Sequence, residues 1–246
     1  MMASTNAQLP SRAVILAGGL GMRMRPYTMV LPKPLIPIGD YPILEHIIRR
    51  LASAGITHVD ICLGRHLGGL IQTYLSQATT LPDGLALRFH WEEKPRGTAG
   101  ALRGIDDLEG SFMVINGDVL TTLDYRLLMS AHRDNDALLT IATRRQRVDI
   151  SLGVIEWEAG LVTGYREKPS LFYDASMGIY MFDQAALDYV PAEGPWQFPD
   201  LVIRLLEAGE AVAPFMSDAD WYDIGTPAEY ERAMHAVRAR PHLFEP

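Results

Sequence analysis

Residues 13–34 of the chain read AVILAGGLGMRMRPYTMVLPKP, and this stretch decides how the rest of the sequence is interpreted. Its first four residues form an apolar run that is typical of a short buried strand. Three glycines follow within four positions, at 18, 19 and 21. Glycine lets the backbone approach a ligand closely, and the N–H groups of such a loop can surround phosphate oxygens. The stretch therefore predicts a strand that leads into an anion-binding loop.

Positive charge is concentrated directly after the glycines, where Arg23, Arg25 and Lys33 all precede the first acidic residue, Asp40. The chain of 246 residues has a formal net charge of −8, so this loop is a local cationic patch in an acidic protein. That contrast favours a small polyanionic ligand over a nucleic-acid surface. The glycines alone would fit an ordinary tight turn equally well, so the interpretation depends on the cations.

Two familiar phosphate-binding patterns do not fit the spacing. The chain contains no G-x-x-x-x-G-K-[ST] string, which a Walker-type P-loop requires. A dinucleotide fingerprint needs glycine or alanine three residues after Gly21, where the chain has Met24. Prolines at 26, 32, 34 and 37 exclude a regular helix after the loop. We therefore expect an irregular, proline-stiffened arm that holds Lys33 over the phosphates.

Composition excludes several other classes of protein. The one cysteine, Cys62, lies in an apolar run and is expected in the core, and the seven histidines show no zinc-binding spacing. The sequence contains no apolar stretch of about 18 residues, so no membrane span is expected. The first eleven residues lack the pattern of a secretory signal and are expected to be a disordered leader. These features predict a soluble, cytoplasmic protein.

Strand and helix patterns alternate along the first half of the chain, which predicts repeated βαβ units and a mostly parallel sheet covered on both faces. A hairpin is expected at 152–165. The other strands are expected at 13–16, 56–63, 85–91, 112–115, 137–142, 176–182 and 211–215. Helices are expected at 42–54, 66–77, 98–108, 125–133, 198–207 and 227–238.

The glycine loop and the following Pro32-Lys33-Pro34 resemble the G-x-G-x-R…P-K-P loop of the sugar-1-phosphate nucleotidylyltransferases, or NDP-sugar pyrophosphorylases. In that family the loop binds the nucleoside triphosphate, so the resemblance implies that Arg23 and Lys33 are catalytic cations. Met22 stands where the family usually has threonine, which keeps backbone donation and removes a hydroxyl contact. The residues implied to bind the nucleotide here are Leu16, Ala17, Gly18, Gly19, Gly21 and Met22.

Two acidic residues are candidate metal ligands. Asp118 follows a predicted strand at the edge where open α/β sheets bind ligands, although Asn-Gly-Asp also fits an ordinary turn. Asp223 lies in WYDIGTP, residues 221–227, which resembles the family's W-x-D-I-G-T-P string; it could equally be an acid before a helix capped by Thr226. The resemblance implies that both aspartates hold Mg²⁺, which takes one or two carboxylates beside phosphate and water.

Two further strings carry the resemblance into the second half of the chain. GTAGA at 97–101 resembles the family segment that lies against base and ribose, which implies nucleotide contacts from Gly97, Thr98 and Gly100 at a helix start with free N–H groups. EKP at 167–169 resembles the family tripeptide in which Glu167 would bind sugar hydroxyls and Lys168 the sugar phosphate. EKP also occurs at 93–95, so only its position supports this assignment. The remaining residues implied for the sugar-phosphate site are Gly117, Met177 and Gly178.

The resemblance implies Mg²⁺-dependent transfer of a nucleotidyl group from a nucleoside triphosphate to a sugar-1-phosphate, with release of pyrophosphate. The GTAG string leans towards a mannose-1-phosphate guanylyltransferase-like activity. Alternatives are a thymidylyl- or uridylyltransferase for a hexose-1-phosphate, a phosphocholine cytidylyltransferase, or a non-catalytic regulatory subunit that binds sugar nucleotides. The expected partners are the two substrates and a second copy in a homodimer, without nucleic acid or membrane.

The expected fold is α/β, a Rossmann-like three-layer sandwich with a mostly parallel mixed sheet. After the leader at 1–11, residues 12–246 are expected to form one catalytic domain, with a nucleotide-binding half to about residue 145 and a sugar-binding half after it. About twenty residues follow the last motif, so the C-terminal β-helix that many family members carry is not expected.

Overall fold

The computed structural model describes residues 10–244. Six helices lie in this range: α1 Ile43–Ser53, α2 Gly68–Gln77, α3 Gly97–Gly100, α4 Tyr125–Asn135, α5 Phe198–Glu207 and α6 Pro227–Ala239. The strands are β1 Arg12–Leu16, β2 Pro37–Ile38, β3 Tyr41–Pro42, β4 His58–Gly64, β5 Ala86–Glu92, β6 Ser111–Asn116, β7 Val119–Thr121, β8 Leu139–Asp149, β9 Val154–Glu158, β10 Leu161–Arg166, β11 Ser170–Asp183, β12 Val212–Met216 and β13 Trp221–Asp223.

A seven-stranded sheet in the order β12-β8-β11-β6-β1-β4-β5 forms the centre of the molecule. Strands β5, β4, β1 and β6 are parallel neighbours, and β12 is parallel to β8. Strand β11 is antiparallel to both β6 and β8. This confirms the predicted α/β fold with a mostly parallel mixed sheet.

Two apolar clusters cover the opposite faces of this sheet. The larger one joins alternate residues of the central strands, such as Ile15 and Ile61, to α1 and α4. The smaller one contains the intervening residues, including Val14 and Cys62, together with α5. Burial raises the pKa of the Cys62 thiol, which agrees with the predicted role of this residue in the core. Successive side chains along a strand point to opposite faces of the sheet, so they belong to different apolar clusters.

The helix expected at 98–108 is wrong beyond its first turn. Helix α3 ends at Gly100, and a separate 3₁₀ turn covers Leu102–Gly104. Gly97, Gly100 and Gly104 fall within eight residues, and each glycine weakens a helix by about 1 kcal/mol relative to alanine. The carbonyl of Trp196 also accepts hydrogen bonds from Ala99 and Gly100, which fixes this turn against another part of the chain.

Strand β8 is five residues longer and strand β11 is seven residues longer than predicted, because their distal halves pair with each other beyond the sheet core. The pairing runs from Thr143 opposite Ser176 to Asp149 opposite Ser170. Cross-strand contacts such as the 3.7 Å ion pair between Arg145 and Asp174 support it. The predicted hairpin forms as strands β9 and β10.

Two expectations concern the ends and divisions of the chain. A disordered leader is expected at 1–11. Residues 1–9 of this leader lie outside the described residues. The division into a nucleotide-binding and a sugar-binding half at about residue 145 stays a prediction. Across residues 10–244, none of the helices has both the length and the apolar character needed to cross a bilayer.

Candidate active site

The glycine loop begins where β1 ends, at the carboxyl edge of the sheet. Gly21 has a left-handed backbone with φ of 60°, which non-glycine residues adopt only at a cost. Its carbonyl accepts hydrogen bonds from the Thr28 hydroxyl at 2.8 Å and from the Met24 N–H at 2.9 Å. Thr28 is buried, so the end of the loop is anchored on the protein side.

The N–H groups of the same loop lack hydrogen-bond acceptors within the described residues. In the described part of the chain, no N–H group from Gly18 to Arg23 donates a hydrogen bond to another protein atom. Consecutive unpaired N–H groups form a concave site for anions. The unpaired N–H groups agree with a loop open to a ligand, and the binding of phosphate there stays a prediction.

Lys33 reaches the loop from the proline-rich arm. It begins a 3₁₀ turn, Lys33–Leu35, between Pro32 and Pro34, and its side chain is 9% exposed. Its Nζ lies 2.5 Å from Oδ2 of Asp118. The structure therefore brings a predicted catalytic cation into contact with a predicted metal ligand.

The second aspartate joins the first through a short two-stranded sheet. Strands β7 and β13 pair so that Asp223 lies opposite Val119, and the Ile224 N–H donates to the Asp118 carbonyl at 3.0 Å. Burial raises the pKa of Asp223, and the negative charge of Asp118 raises it further, while Lys33 lowers it. The two carboxylates are thus electrostatic neighbours.

A cavity of about 390 Å³ is lined by the glycine loop, Lys33 and Asp118, whereas Asp223 is not among its lining residues. Arg23 lines this cavity, and its guanidinium lies close to Gly225. A Cβ added at Gly225 would lie 3.1 Å from the guanidinium. Predicted site residues that line the cavity are Leu16, Ala17, Gly19, Gly21, Met22, Arg23, Lys33, Gly117 and Asp118. Sequence reasoning missed two lining residues, Pro34 and Gly225, although both lie inside the strings PKP and WYDIGTP that it singled out.

Gly18 and the segment Gly97–Gly100 lie outside this lining. Gly18 packs beside the carboxylate of Glu92 and the backbone of Gly64. The N–H groups of Ala99 and Gly100 donate to the Trp196 carbonyl at 3.0 and 3.1 Å, so they are not free as expected from a helix start. The nucleotide contacts expected from Gly97, Thr98 and Gly100 stay a prediction.

Met177 and Gly178 form an irregularity in β11 close to the aspartates. Pairing with β8 shifts between Ser176 and Tyr180, and a Cβ on Gly178 would collide with the Asn116 amide at 2.7 Å. The Met177 carbonyl accepts a hydrogen bond from the Trp221 indole at 2.8 Å. These contacts connect Met177 and Gly178 to β6 and β13. Strand β6 ends two residues before Asp118, and β13 ends at Asp223.

Glu167 and Lys168 are not brought to the cavity. Their side chains are 61% and 67% exposed, between the hairpin and β11. The Tyr165 hydroxyl donates to Glu167 at 2.8 Å, and Lys168 has a left-handed backbone with φ of 43°. Their assignment to the sugar and its phosphate stays a prediction.

The aspartate pair fits a magnesium ion that shares its shell with a ligand. Among residues 10–244, no cluster of three or more His, Cys, Asp or Glu side chains could hold a metal by itself. Two neighbouring carboxylates beside an anion-binding loop still match Mg²⁺, which completes its shell with phosphate oxygens and water.

Comparison with known proteins agrees with this geometry. A family model described as nucleotidyl transferase matches residues 12–240. A UTP–glucose-1-phosphate uridylyltransferase of Synechocystis is 30% identical over 93% of this chain and 64% of that protein. A mannose-1-phosphate guanylyltransferase of Mycobacterium tuberculosis is 32% identical over 89% of this chain and 62% of its own length. The chain thus spans somewhat less than two thirds of these relatives.

Solved structures share the architecture. A crystal structure described as a glucose-1-phosphate thymidylyltransferase of Bacillus anthracis superimposes with a TM-score of 0.73 at 25% identity, over 92% of this chain and 95% of that one. The structure of HddC from Yersinia pseudotuberculosis has the same fold, with a TM-score of 0.71 at 24% identity, over 92% of this chain and 99% of that one. The match of the family model to residues 12–240 shows that this chain belongs to the nucleotidyl transferase family.

Proposed function

We propose that this protein transfers a nucleotidyl group from a nucleoside triphosphate to a sugar-1-phosphate and releases pyrophosphate. The single observation that carries the proposal is the set of unpaired N–H groups of Gly19, Gly21, Met22 and Arg23, which line a cavity that Lys33 and Asp118 also line. Such a cavity suits a chain of phosphates with a bound cation. The activities in the names of the relatives support the same reaction class.

The reaction needs positioning and charge neutralisation more than covalent catalysis. A phosphate oxygen of the sugar-1-phosphate attacks the α-phosphorus and forms a new P–O bond. The bond from that phosphorus to the oxygen bridging the α- and β-phosphates breaks, and its electron pair leaves with pyrophosphate. The attacking oxygen is already anionic, so no general base is required.

The charged and loop residues singled out by the sequence each have a proposed role in this scheme. The loop N–H groups bind the triphosphate, while Arg23 and Lys33 stabilise charge on the transferring and leaving phosphates. Asp118 and Asp223 would hold Mg²⁺, which when bound screens the two anionic substrates from each other. Glu167 and Lys168 would bind the sugar hydroxyls and the sugar phosphate.

For the substrates we propose guanosine triphosphate and a mannose-1-phosphate-like hexose phosphate. Several relatives are named mannose-1-phosphate guanyltransferases, and they are 27–32% identical to this chain. Uridylyl or thymidylyl transfer to a hexose-1-phosphate is the alternative, supported by the names of the Synechocystis and Bacillus proteins. We also propose a cytoplasmic homodimer, which light scattering on the purified protein would test.

Pyrophosphate release tests the proposal. ATP, GTP, CTP, UTP and dTTP are each combined with Mg²⁺ and a panel of hexose-1-phosphates plus phosphocholine. We expect one strong combination, in which GTP is the nucleotide. Activity only with CTP and phosphocholine would replace the sugar assignment, and a blank panel with protein that still binds a nucleotide sugar would indicate a non-catalytic binding subunit.

A further inference from the structure

Lys33 has one carboxylate partner, and that partner is a proposed metal ligand. Its Nζ contacts Asp118 Oδ2 at 2.5 Å, and within residues 10–244 it makes no other ion pair or hydrogen bond from Nζ. The lysine side chain is 9% exposed and that of Asp118 is 29% exposed. The ammonium group therefore contacts one of the two carboxylate oxygens that a cation at this site could bind.

The backbone around Lys33 holds the side chain in this place. Pro32 and Pro34 flank it in a 3₁₀ turn, and proline fixes φ on both sides. The Leu35 N–H donates to the Pro32 carbonyl at 2.8 Å, which closes the turn. On the loop side, the Cβ of Lys33 lies close beneath Gly21. Because the backbone is fixed, Lys33 can change its partner only by rotation about the bonds of its four side-chain methylene groups.

Lys33 and Arg23 are the two cations that act on the aspartates of this site. Asp118 directly precedes β7, which pairs with β13 and so brings Asp223 beside it; Lys33 contacts Asp118, and Arg23 lines the same cavity. A divalent cation held by these carboxylates would lie next to the Lys33 ammonium, and the two positive charges would repel each other. The cavity beside Asp118 is also lined by the glycine loop, so a displaced ammonium has phosphate acceptors within the same space.

We propose that Lys33 is the resident counter-ion of Asp118, and that a divalent cation displaces it and so releases the lysine towards bound phosphate. The proposal rests on the proposed function for the identity of the phosphate ligand. The exchange between cation and lysine is itself a property of this pair and occurs without nucleotide. Metal binding and the availability of Lys33 are then coupled steps.

Metal titration without nucleotide tests the exchange. Mn²⁺ is titrated as a stand-in for Mg²⁺ by calorimetry against the wild type, Lys33→Met and Arg25→Met. Arg25 is a matched control because it is an exposed cation of the same segment that does not line the cavity. We expect about tenfold tighter binding in Lys33→Met, because the internal competitor is gone, and no change in Arg25→Met. Equal or weaker binding in Lys33→Met would overturn the proposal.

A second measurement uses only the wild-type protein, in case Lys33→Met does not fold. Labelling of lysine amines is followed by mass spectrometry with and without saturating Mn²⁺. We expect slow labelling of Lys33 without metal and several-fold faster labelling with it, while Lys94 is unchanged. Identical rates at Lys33 would contradict displacement. If no substrate combination releases pyrophosphate, the proposed function is refuted, but the metal titration and the lysine labelling still test the exchange.

Discussion

Arg23 and Asp118 are the residues whose charges the proposed reaction uses most directly. Arg23 lines the cavity beside Gly225, and Asp118 faces both Lys33 and Asp223. We predict that Arg23→Ala and Asp118→Asn each lower turnover by roughly 10²–10³, the size expected when one preorganised electrostatic group is lost. The steady-state rate of pyrophosphate release measures this effect.

The neighbouring Arg25→Ala provides the control for this prediction. Arg25 carries the same charge and is exposed, but it is not among the residues that line the cavity. Its turnover should stay within a few-fold of wild type. Near-normal turnover in folded Asp118→Asn would remove Asp118 from the proposed metal site.

Gly21 and Gly19 differ in their tolerance of a side chain, although both belong to the glycine loop. A Cβ on Gly21 would need the left-handed backbone and would approach Thr28 to 2.9 Å, whereas one on Gly19 would meet nothing within 4 Å. We predict that Gly21→Ala lowers the free energy of unfolding by about 1–2 kcal/mol. Gly19→Ala should leave it nearly unchanged, and urea unfolding measures both. Equal losses would show that the loop does not require the conformation seen at Gly21.

At the scale of elements, a buried carboxylate connects three neighbouring strands. Asp60 on β4 accepts hydrogen bonds from Arg12 on β1 at 2.6 Å and from Arg88 at 3.1 Å on β5. His90, also on β5, lies 2.7 Å from the same carboxylate. Burial alone would raise the pKa of Asp60, but these hydrogen bonds and the two guanidinium charges lower it to about 2. The ionised form is therefore the one that the folded sheet binds.

The lowered pKa of Asp60 determines how the stability of the protein depends on pH. The folded pKa lies below the ordinary value of 3.8, so Asp60 contributes its stability above about pH 4 and loses it as the pH falls towards 2. We predict that Asp60→Asn unfolds about 2 kcal/mol more easily than wild type at pH 7, and that the gap narrows between pH 4 and 2. Urea unfolding across this range measures the gap.

Asp107→Asn is the matched control, because the Asp107 side chain is 77% exposed and its ion pair with Arg88 is 3.8 Å long. It should show almost no difference from wild type at any pH. A gap for Asp60→Asn that stays constant from pH 7 to pH 2 would contradict a depressed pKa for Asp60.

At the scale of the whole molecule, the cavity couples ligand binding to stability. It is built from β1, the proline arm, the end of β6 and the segment before α6. A nucleotide at a hundred times its Kd should stabilise the fold by about 2.7 kcal/mol. For a chain of this size, we predict a rise in Tm on the order of 5–10 °C with GTP and Mg²⁺.

The corresponding nucleoside tests the origin of that rise. In the proposed function the unpaired N–H groups and the cations of the loop bind phosphate, so guanosine at the same concentration should raise Tm very little. An equal rise with guanosine would mean that the phosphates do not carry the binding energy. A differential scanning fluorimetry series over both ligands is sufficient for the comparison.

Much of the fold could be read from local patterns. Helix α5 was predicted with its observed ends, because its start has Pro199 in the first turn and its apolar residues recur at helical spacing. The strands of the parallel core were predicted as apolar runs between turn signals. The extended halves of β8 and β11 were missed, because exposed strands that pair only with each other show no apolar alternation.

The sequence by itself determined the glycine loop after the first strand, the absence of a regular helix after that loop, and the residues that would carry charge in the proposed site. Those properties depend on glycine and proline backbone preferences and on local charge, which act over a few residues. Only the tertiary structure decided that Asp118 lies beside Asp223 and that Lys33 contacts Asp118. It also separated Glu167 and Lys168 from the cavity. Such contacts depend on strand pairing between distant segments, and no local pattern encodes that pairing.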